Sequence, residues 1–366
     1  MLTDQERESM THANLQTRLT RLGIEFPFMA APMVGLTHAA FRELVRSYTP
    51  SSLKPLLFSE MLSALRLPSD RPDRIDELRI SDRDRENLVM QILGGNEQQI
   101  EKSISKIRSI SPWGVDINMG CTLKVARYRS SGISLMDNPE TASNMVKAAK
   151  RHLNIPVSVK TRIGVEKADF DYLDFFTEKL EKAGADFIII HARLKKSKHS
   201  GDADWKQIER LRMKRAIPVV ANGDIQTAED AISLIERHNV DGSMIGRAIT
   251  ARPWIFWQIA HKLGIRDSPE PYPGKTPPLT REEEGIFYLE SCLRLIDFLE
   301  KYVENESKRE RKFIFHVRIS HIWYLFGHAF FARCLKARKL TAIREMILES
   351  QSKNWEFPSY NRIYFY

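Results

Sequence analysis

Eight short apolar runs, rich in β-branched and aromatic residues, alternate along the chain with longer segments of helical periodicity. The runs are Phe26–Met33, Leu56–Met61, Leu88–Leu93, Val115–Asn118, Val157–Arg162, Phe187–Ala192, Val219–Asn222 and Gly242–Ile245. Nearly continuous apolarity is what a strand buried on both faces requires. Between the runs, Ala39–Tyr48, Glu97–Ile110, Pro139–Leu153, Tyr172–Ala183 and Ala228–Arg237 repeat apolar residues three and four apart, with charges opposite. That spacing predicts amphipathic helices laid against a sheet. Eight such units predict an α/β fold, a (β/α)8 TIM barrel. A doubly wound open sheet uses the same units, but its dinucleotide form carries GxGxxG after the first strand. No run here is followed by that motif.

Polar or special residues close almost every run: Pro32 and Met33, Glu60, Gln91, Asn118 and Cys121, Lys160 and Arg162, His191 and Arg193, Asn222 and Asp224, Gly246 and Arg247. In a barrel these ends converge on one mouth, where active sites lie. After the eighth run, Asp267–Pro278 is rich in proline and glycine and reads as a linker. Helical periodicity resumes over Arg281–Val303. A basic run, Lys308–Lys312, then precedes a further helix-like stretch through Ala337. The expected organisation is an N-terminal extension (1–22), a catalytic barrel (23–266), a linker (267–280) and a small C-terminal helical domain (281–366).

Composition narrows the function. The 366 residues are 42% hydrophobic, enough for a large core, and the formal net charge is +9. A basic balance suggests an anionic partner, nucleic acid first, although a basic surface without such a partner carries the same charge. No apolar stretch is long enough for a membrane span, and Met1–Thr20 lacks the apolar centre of a signal peptide. A cytoplasmic protein is expected. The three cysteines are far apart and no pair has metal-ligand spacing, so no metal is expected.

Three groups of residues could carry chemistry. Gly223 and Gly246, beside Asn222, Asp224 and Arg247, follow the last two strands, where barrels often bind phosphate through backbone N–H groups. They could also be two tight turns. Lys160 ends an inward-facing strand and needs an anionic or polar partner there, either Glu60 or a flavin ring. Gln91 can hydrogen-bond a pyrimidine-like edge, and Pro32 and Met33 can lie against a flat ring. His191 is either a structural hydrogen-bonding group or a cofactor contact. Cys121, at a polar strand tip behind Asn118 and Gly120, is a candidate proton donor or nucleophile, unless it only fills space. Cys292 and Cys334 sit in apolar, helix-like surroundings and read as packing residues.

APMVGLTHAAFR (Ala31–Arg42), VMQILGG (Val89–Gly95), GVDINMGC (Gly114–Cys121), SVKTRIG (Ser158–Gly164), IHARLKKSKHSGDADW (Ile190–Trp205), VVANGDI (Val219–Ile225) and MIGRA (Met244–Ala248) occur in this order. In them the chain resembles the tRNA-dihydrouridine synthases from about Phe26 to Phe256, and FHVRISHIWYLFG (Phe315–Gly327) resembles their helical RNA-binding domain. The resemblance implies FMN-dependent reduction of a uridine in tRNA to 5,6-dihydrouridine, with NADPH (or NADH) as electron source. Hydride would pass from reduced FMN to uracil C6, and Cys121, matching the catalytic cysteine, would give a proton to C5. It places Pro32, Met33, Val34, Gln91 and Lys160 on FMN, and Asn222, Gly223, Asp224, Gly246 and Arg247 on its phosphate side, with His191 assisting. Asn118 matches a residue that holds the uracil. Arg193, Lys195, Lys196 and Lys198 near the mouth, and Arg311, Lys312 and Arg318 beyond it, are either grips for RNA phosphates or solvated surface. One departure stands out: Thr122 follows the cysteine where the family usually has proline. Two other functions fit the same residues, an FMN oxidoreductase for a free pyrimidine or enone, and a tRNA-binding protein that has lost its activity. If the helical domain serves RNA, removing the chain beyond Pro278 is expected to weaken tRNA binding far more than FMN binding.

Overall fold

The computed structural model describes residues 17–71, 75–124, 126, 130–196, 202–352 and 358–360. Nine parallel strands form one sheet: β1 (Phe28–Ala30), β2 (Leu56–Phe58), β3 (Leu62–Ser63), β4 (Leu88–Leu93), β5 (Gly114–Asn118), β6 (Val157–Gly164), β7 (Phe187–Leu194), β8 (Val219–Asn222) and β9 (Gly242–Ile245). β1 pairs with both β2 and β9, and β2 pairs with β4, so eight strands close into a barrel. The two-residue β3 only extends the edge of β4. All eight predicted runs supply a barrel strand.

Alternation along each strand splits the core in two. Met29, Leu56, Phe58, Val89, Phe187, Ile189, Val220 and Met244 fill the barrel interior. The alternate residues, such as Ile188, Ile190, Ala192 and Ala221, pack outward under the helices. In β7 the inward register runs Phe187, Ile189, His191, Arg193. The apolar interior thus gives way to polar side chains towards the strand's C-terminal end.

Helices α1 (Ala39–Ser47), α2 (Glu97–Ile110), α3 (Pro139–His152), α4 (Phe170–Lys182), α5 (Trp205–Lys214), α6 (Ala228–His238) and α7 (Ile255–Lys262) surround the barrel. Most start at a side-chain cap that the sequence supplies: His38, Asn96, Asn138, Asp169, Asp204 and Thr227 each accept a hydrogen bond from a first-turn N–H. Among the described residues, the connection from β2 to β4 holds no helix longer than the four-residue Asp84–Asn87. A buried network ties it down instead. Asp84 accepts from Arg42 at 2.8 Å and Arg46 at 2.7 Å, and Arg46 also reaches Glu43 and Asn87.

Arg18–Leu22, expected within an N-terminal extension, closes the barrel floor. Leu19 joins the interior cluster, and Arg18 pairs with Asp241 at the foot of β9. Beyond the barrel come α8 (Arg281–Tyr302), α9 (Glu306–Ser320), α10 (Gly327–Ala337) and α11 (Leu340–Ser352). The basic run Lys308–Lys312 lies inside α9 rather than ahead of it. The segment read as a linker is laid against the barrel. Tyr272 stacks on Tyr48, Trp257 and Phe287, and the Pro278 carbonyl accepts from Gln258. No helix among the described residues is long and apolar enough to cross a membrane.

Candidate active site

The strand ends meet at two adjoining cavities that share Pro32, Lys160, Arg162 and His191 as a common wall. The first, of about 230 Å³, is bounded by Met33 from the β1 loop and by Asn222, Gly223 and Asp224 after β8. Gly246 and Arg247 after β9 close it, with Arg193 from β7. The second, of about 160 Å³, holds Val34, Gln91, Asn118 and Cys121. Fourteen of the sequence-selected site residues therefore line one or both cavities. Arg318 does not; it is exposed on α9.

The first cavity is cationic. Arg193 is 5% exposed, and its guanidinium is paired with Asp224. It faces inward rather than offering itself to solvent as an RNA grip. Burial, then the neighbouring Arg193 charge, lower the pKa of Arg247, with Asp224 opposing. The same two causes, in the same order, bring Arg162 down to about 10. Among the lining residues one carboxylate, Asp224, faces three arginines. Gly246 has open space where a side chain would stand, so backbone is exposed to the cavity there.

Lys160 lies where the two cavities meet. Its Nζ donates to Asn222 Oδ1 at 2.7 Å, and Asn222 donates to the Met244 carbonyl at 2.8 Å. Burial, then the Arg162 charge, lower its pKa to about 7, with Asp116 opposing. The alternative partner Glu60 is engaged elsewhere. It accepts from the Gly35 N–H at 2.7 Å and faces Lys312 Nζ at 3.7 Å. Lys312 is thus committed to an internal ion pair.

Cys121 is half-buried while Cys292 and Cys334 are fully buried. Its turn is fixed from two sides. Asn118 Oδ1 accepts from the N–H groups of Gly120 and Cys121, at 3.1 and 2.9 Å. On the other side Ile133 donates to the Cys121 carbonyl at 3.1 Å, and Gly132 at φ 63° lies so close that a Cβ would stand 2.7 Å from that oxygen. Only glycine meets both conditions. Thr122 is half-buried beside it, and Lys198 lies outside the described residues.

Two contributors lie outside the site residues that the resemblance implies. Arg162 donates to the Gly120 and Leu194 carbonyls, linking the cysteine turn to β7. It was visible as a polar strand end. Trp323, from the turn after α9, lines the first cavity together with Met33 and Arg247. Nothing local marks it, because it arrives from outside the barrel. The cavity formed by the loops after β8 and β9 therefore has a wall from the helical region, so that region is not separable from it.

Fold and mouth together are those of a barrel enzyme, with its polar chemistry gathered at the C-terminal ends of the strands. A model of the dihydrouridine synthase (Dus) family matches residues 29–343, and the chain belongs to that family of oxidoreductases. It is 33% identical over 241 residues to a probable tRNA-dihydrouridine synthase of Aquifex aeolicus, covering 64% of this chain and 73% of that one. It is 31% identical over 321 residues to a probable tRNA-dihydrouridine synthase of Mycobacterium tuberculosis, covering 85% and 77%. A probable tRNA-dihydrouridine synthase 1 of Synechocystis is 30% identical over 233 residues, which span 64% of each chain.

Proposed function

We propose that this chain reduces uridine in tRNA to 5,6-dihydrouridine, holding FMN in the mouth and drawing electrons from NADPH (or NADH). The observation that carries the reading is the pairing of cavities: a cationic, glycine-bearing one and one ending at Cys121, with Lys160 and His191 between them. The residues fit the cofactor. Three arginines facing one carboxylate favour an added anion such as a phosphate, and the open backbone at Gly246 gives it N–H groups. Lys160, desolvated and hydrogen-bonded to the neutral Asn222 amide, suits the edge of a ring that gathers negative charge on reduction. Gln91 offers the second cavity an amide.

When bound, FMN would supply the hydride that saturates C6 of the base. The protein's own residues do the rest. Asn118 orients the uracil edge, Arg162 and Asn118 hold the turn, and the Cys121 thiol donates a proton to C5. Such a base must leave its stack to enter the mouth. The exposed Lys196, Arg311 and Arg318 remain available to RNA phosphates, whereas Arg193 and Lys312 serve internal pairs.

The test is the Cys121→Ala variant. The purified protein should be yellow and release FMN on denaturation. The variant should keep its FMN and lose dihydrouridine formation by at least about 100-fold, the reach of a positioned acid. A colourless protein that takes up no FMN, or a fully active variant, refutes the reading.

A further inference from the structure

The hydrogen bonds beneath Cys121 form a chain whose direction is set by groups that cannot be reversed. Backbone N–H groups only donate, so the atom of Asn118 that faces Gly120 and Cys121 must be its oxygen. Its Nδ2 then points to Gln91 at 2.8 Å, and the Gln91 atom there must be Oε1. The Gln91 Nε2 is left facing residue 116, again at 2.8 Å, where only an acceptor completes the chain. Asp116 supplies it. Its other oxygen accepts from the Ser158 hydroxyl at 2.7 Å. Asp116 is the cross-strand partner of both Gln91 and Ser158 and is fully buried below the mouth.

An aspartate here is costly unless it serves a purpose, because it is fully buried next to the apolar layer of the barrel interior. Burial pushes its pKa up to about 6, while the bonds from Gln91 and Ser158 and the Lys160 charge hold it down. Its two oxygens accept from Gln91 and from Ser158.

We propose that Asp116 is a positioning residue: through Gln91 and Asn118 it fixes the backbone turn that presents the Cys121 thiol. Its influence on turnover rests on the function proposed above, but its influence on the thiol does not. Asp116→Leu keeps the volume and removes the acceptor. Gln91 must then turn to seek another partner, and its amide can no longer support Asn118. Asp116→Asn keeps an acceptor, because its amide oxygen can face Gln91 while its nitrogen faces Ser158, whose hydroxyl rotates to accept.

Two readouts distinguish this role from packing. Cys292 and Cys334 are buried, so iodoacetamide labelling of the folded protein reports Cys121. Asp116→Leu should speed labelling about tenfold, the equivalent of one buried hydrogen-bonding partner lost. It should slow single-turnover uridine reduction by about 10- to 100-fold with FMN still bound, as misplacement of a reacting group does. Asp116→Asn should stay within about threefold on both, for it keeps the acceptor. In a Gln91→Met background, Asp116→Leu should add nothing, since the chain is already cut. The Gln91→Met protein alone must show faster labelling, which decides the matter if Asp116→Leu does not fold. Native labelling in either single variant overturns the proposal. Equal damage from Asn and Leu, which assigns the effect to charge, overturns it too, as does an undiminished Leu effect in the Gln91→Met background. If the native enzyme makes no dihydrouridine, the function fails while the labelling still judges Asp116.

Discussion

Lys160 shows how an apolar strand can deliver a tuned cation. Its neighbours Val157 and Val159 on β6 are fully buried, and the inward register leaves the ammonium with Asn222 and little water. Without an anionic ligand its pKa falls to about 7, so near neutral pH the side chain is only partly charged. The sign of the consequence is fixed. An anionic ligand favours the protonated form, so its binding takes up a proton wherever the free site has lost one, and affinity falls as pH rises through about 7. FMN binding to cofactor-free protein should weaken by about tenfold between pH 6.5 and 8.5, one pKa unit being worth a factor of ten. Lys160→Gln should bind more weakly at low pH and lose most of that dependence. Flavin fluorescence titrations across the range measure both; a slope that survives in Lys160→Gln assigns it to another group.

Among the described residues the β2–β4 connection has no α-helix but the four-residue Asp84–Asn87, and the Arg42–Asp84–Arg46 network anchors it. Burial alone would raise the pKa of Asp84, but the two guanidiniums and the Ser81 N–H outweigh it and hold the carboxyl well below its usual range. A depressed pKa contributes stability that is present above the unfolded value, about 4, and is lost as pH falls towards the folded one. Asp84→Ala leaves two buried arginines without their carboxylate and should cost about 3–5 kcal/mol at pH 7 by urea denaturation. A cost below about 1 kcal/mol would place the pair among weak surface bridges. This network also marks the limit of what the chain discloses. The eight strands and most of the mouth were legible because inward alternation and strand-end polarity are local patterns, as in Phe187–Arg193. Arg42 and Asp84 are 42 positions apart, and neither lies in a motif that announces the other. Lys312 and Arg193 look like surface cations in sequence. Only the fold shows that Glu60 and Asp224 claim them.

The same long-range placement joins the helical region to the mouth. Helix α8 packs on α1, the Tyr324 hydroxyl donates to the Ala251 carbonyl at 2.6 Å, and Arg252 pairs with Glu284 at 2.8 Å. At the β1 loop, Phe315 of α9 sits 2.8 Å from where a Cβ on Gly35 (φ 79°) would stand, so the loop and the helix meet at a position that favours glycine. Gly35 also donates to Glu60, which faces Lys312. The helical region thus grips both the β1 loop and the end of β9, and Trp323 forms cavity wall between them. The barrel cannot be expected to hold its ligand alone. A chain ending at Pro278 should lose FMN as well as tRNA affinity, and Trp323→Leu should weaken FMN binding about tenfold, the share of one well-packed aromatic contact. Arg318→Ala, on the same region but exposed, should leave FMN affinity unchanged and weaken tRNA binding alone. Equilibrium FMN titration of the two point variants, with thermal denaturation to confirm folding, separates these effects. Full FMN affinity in folded Trp323→Leu would return the helical region to a purely RNA-facing role.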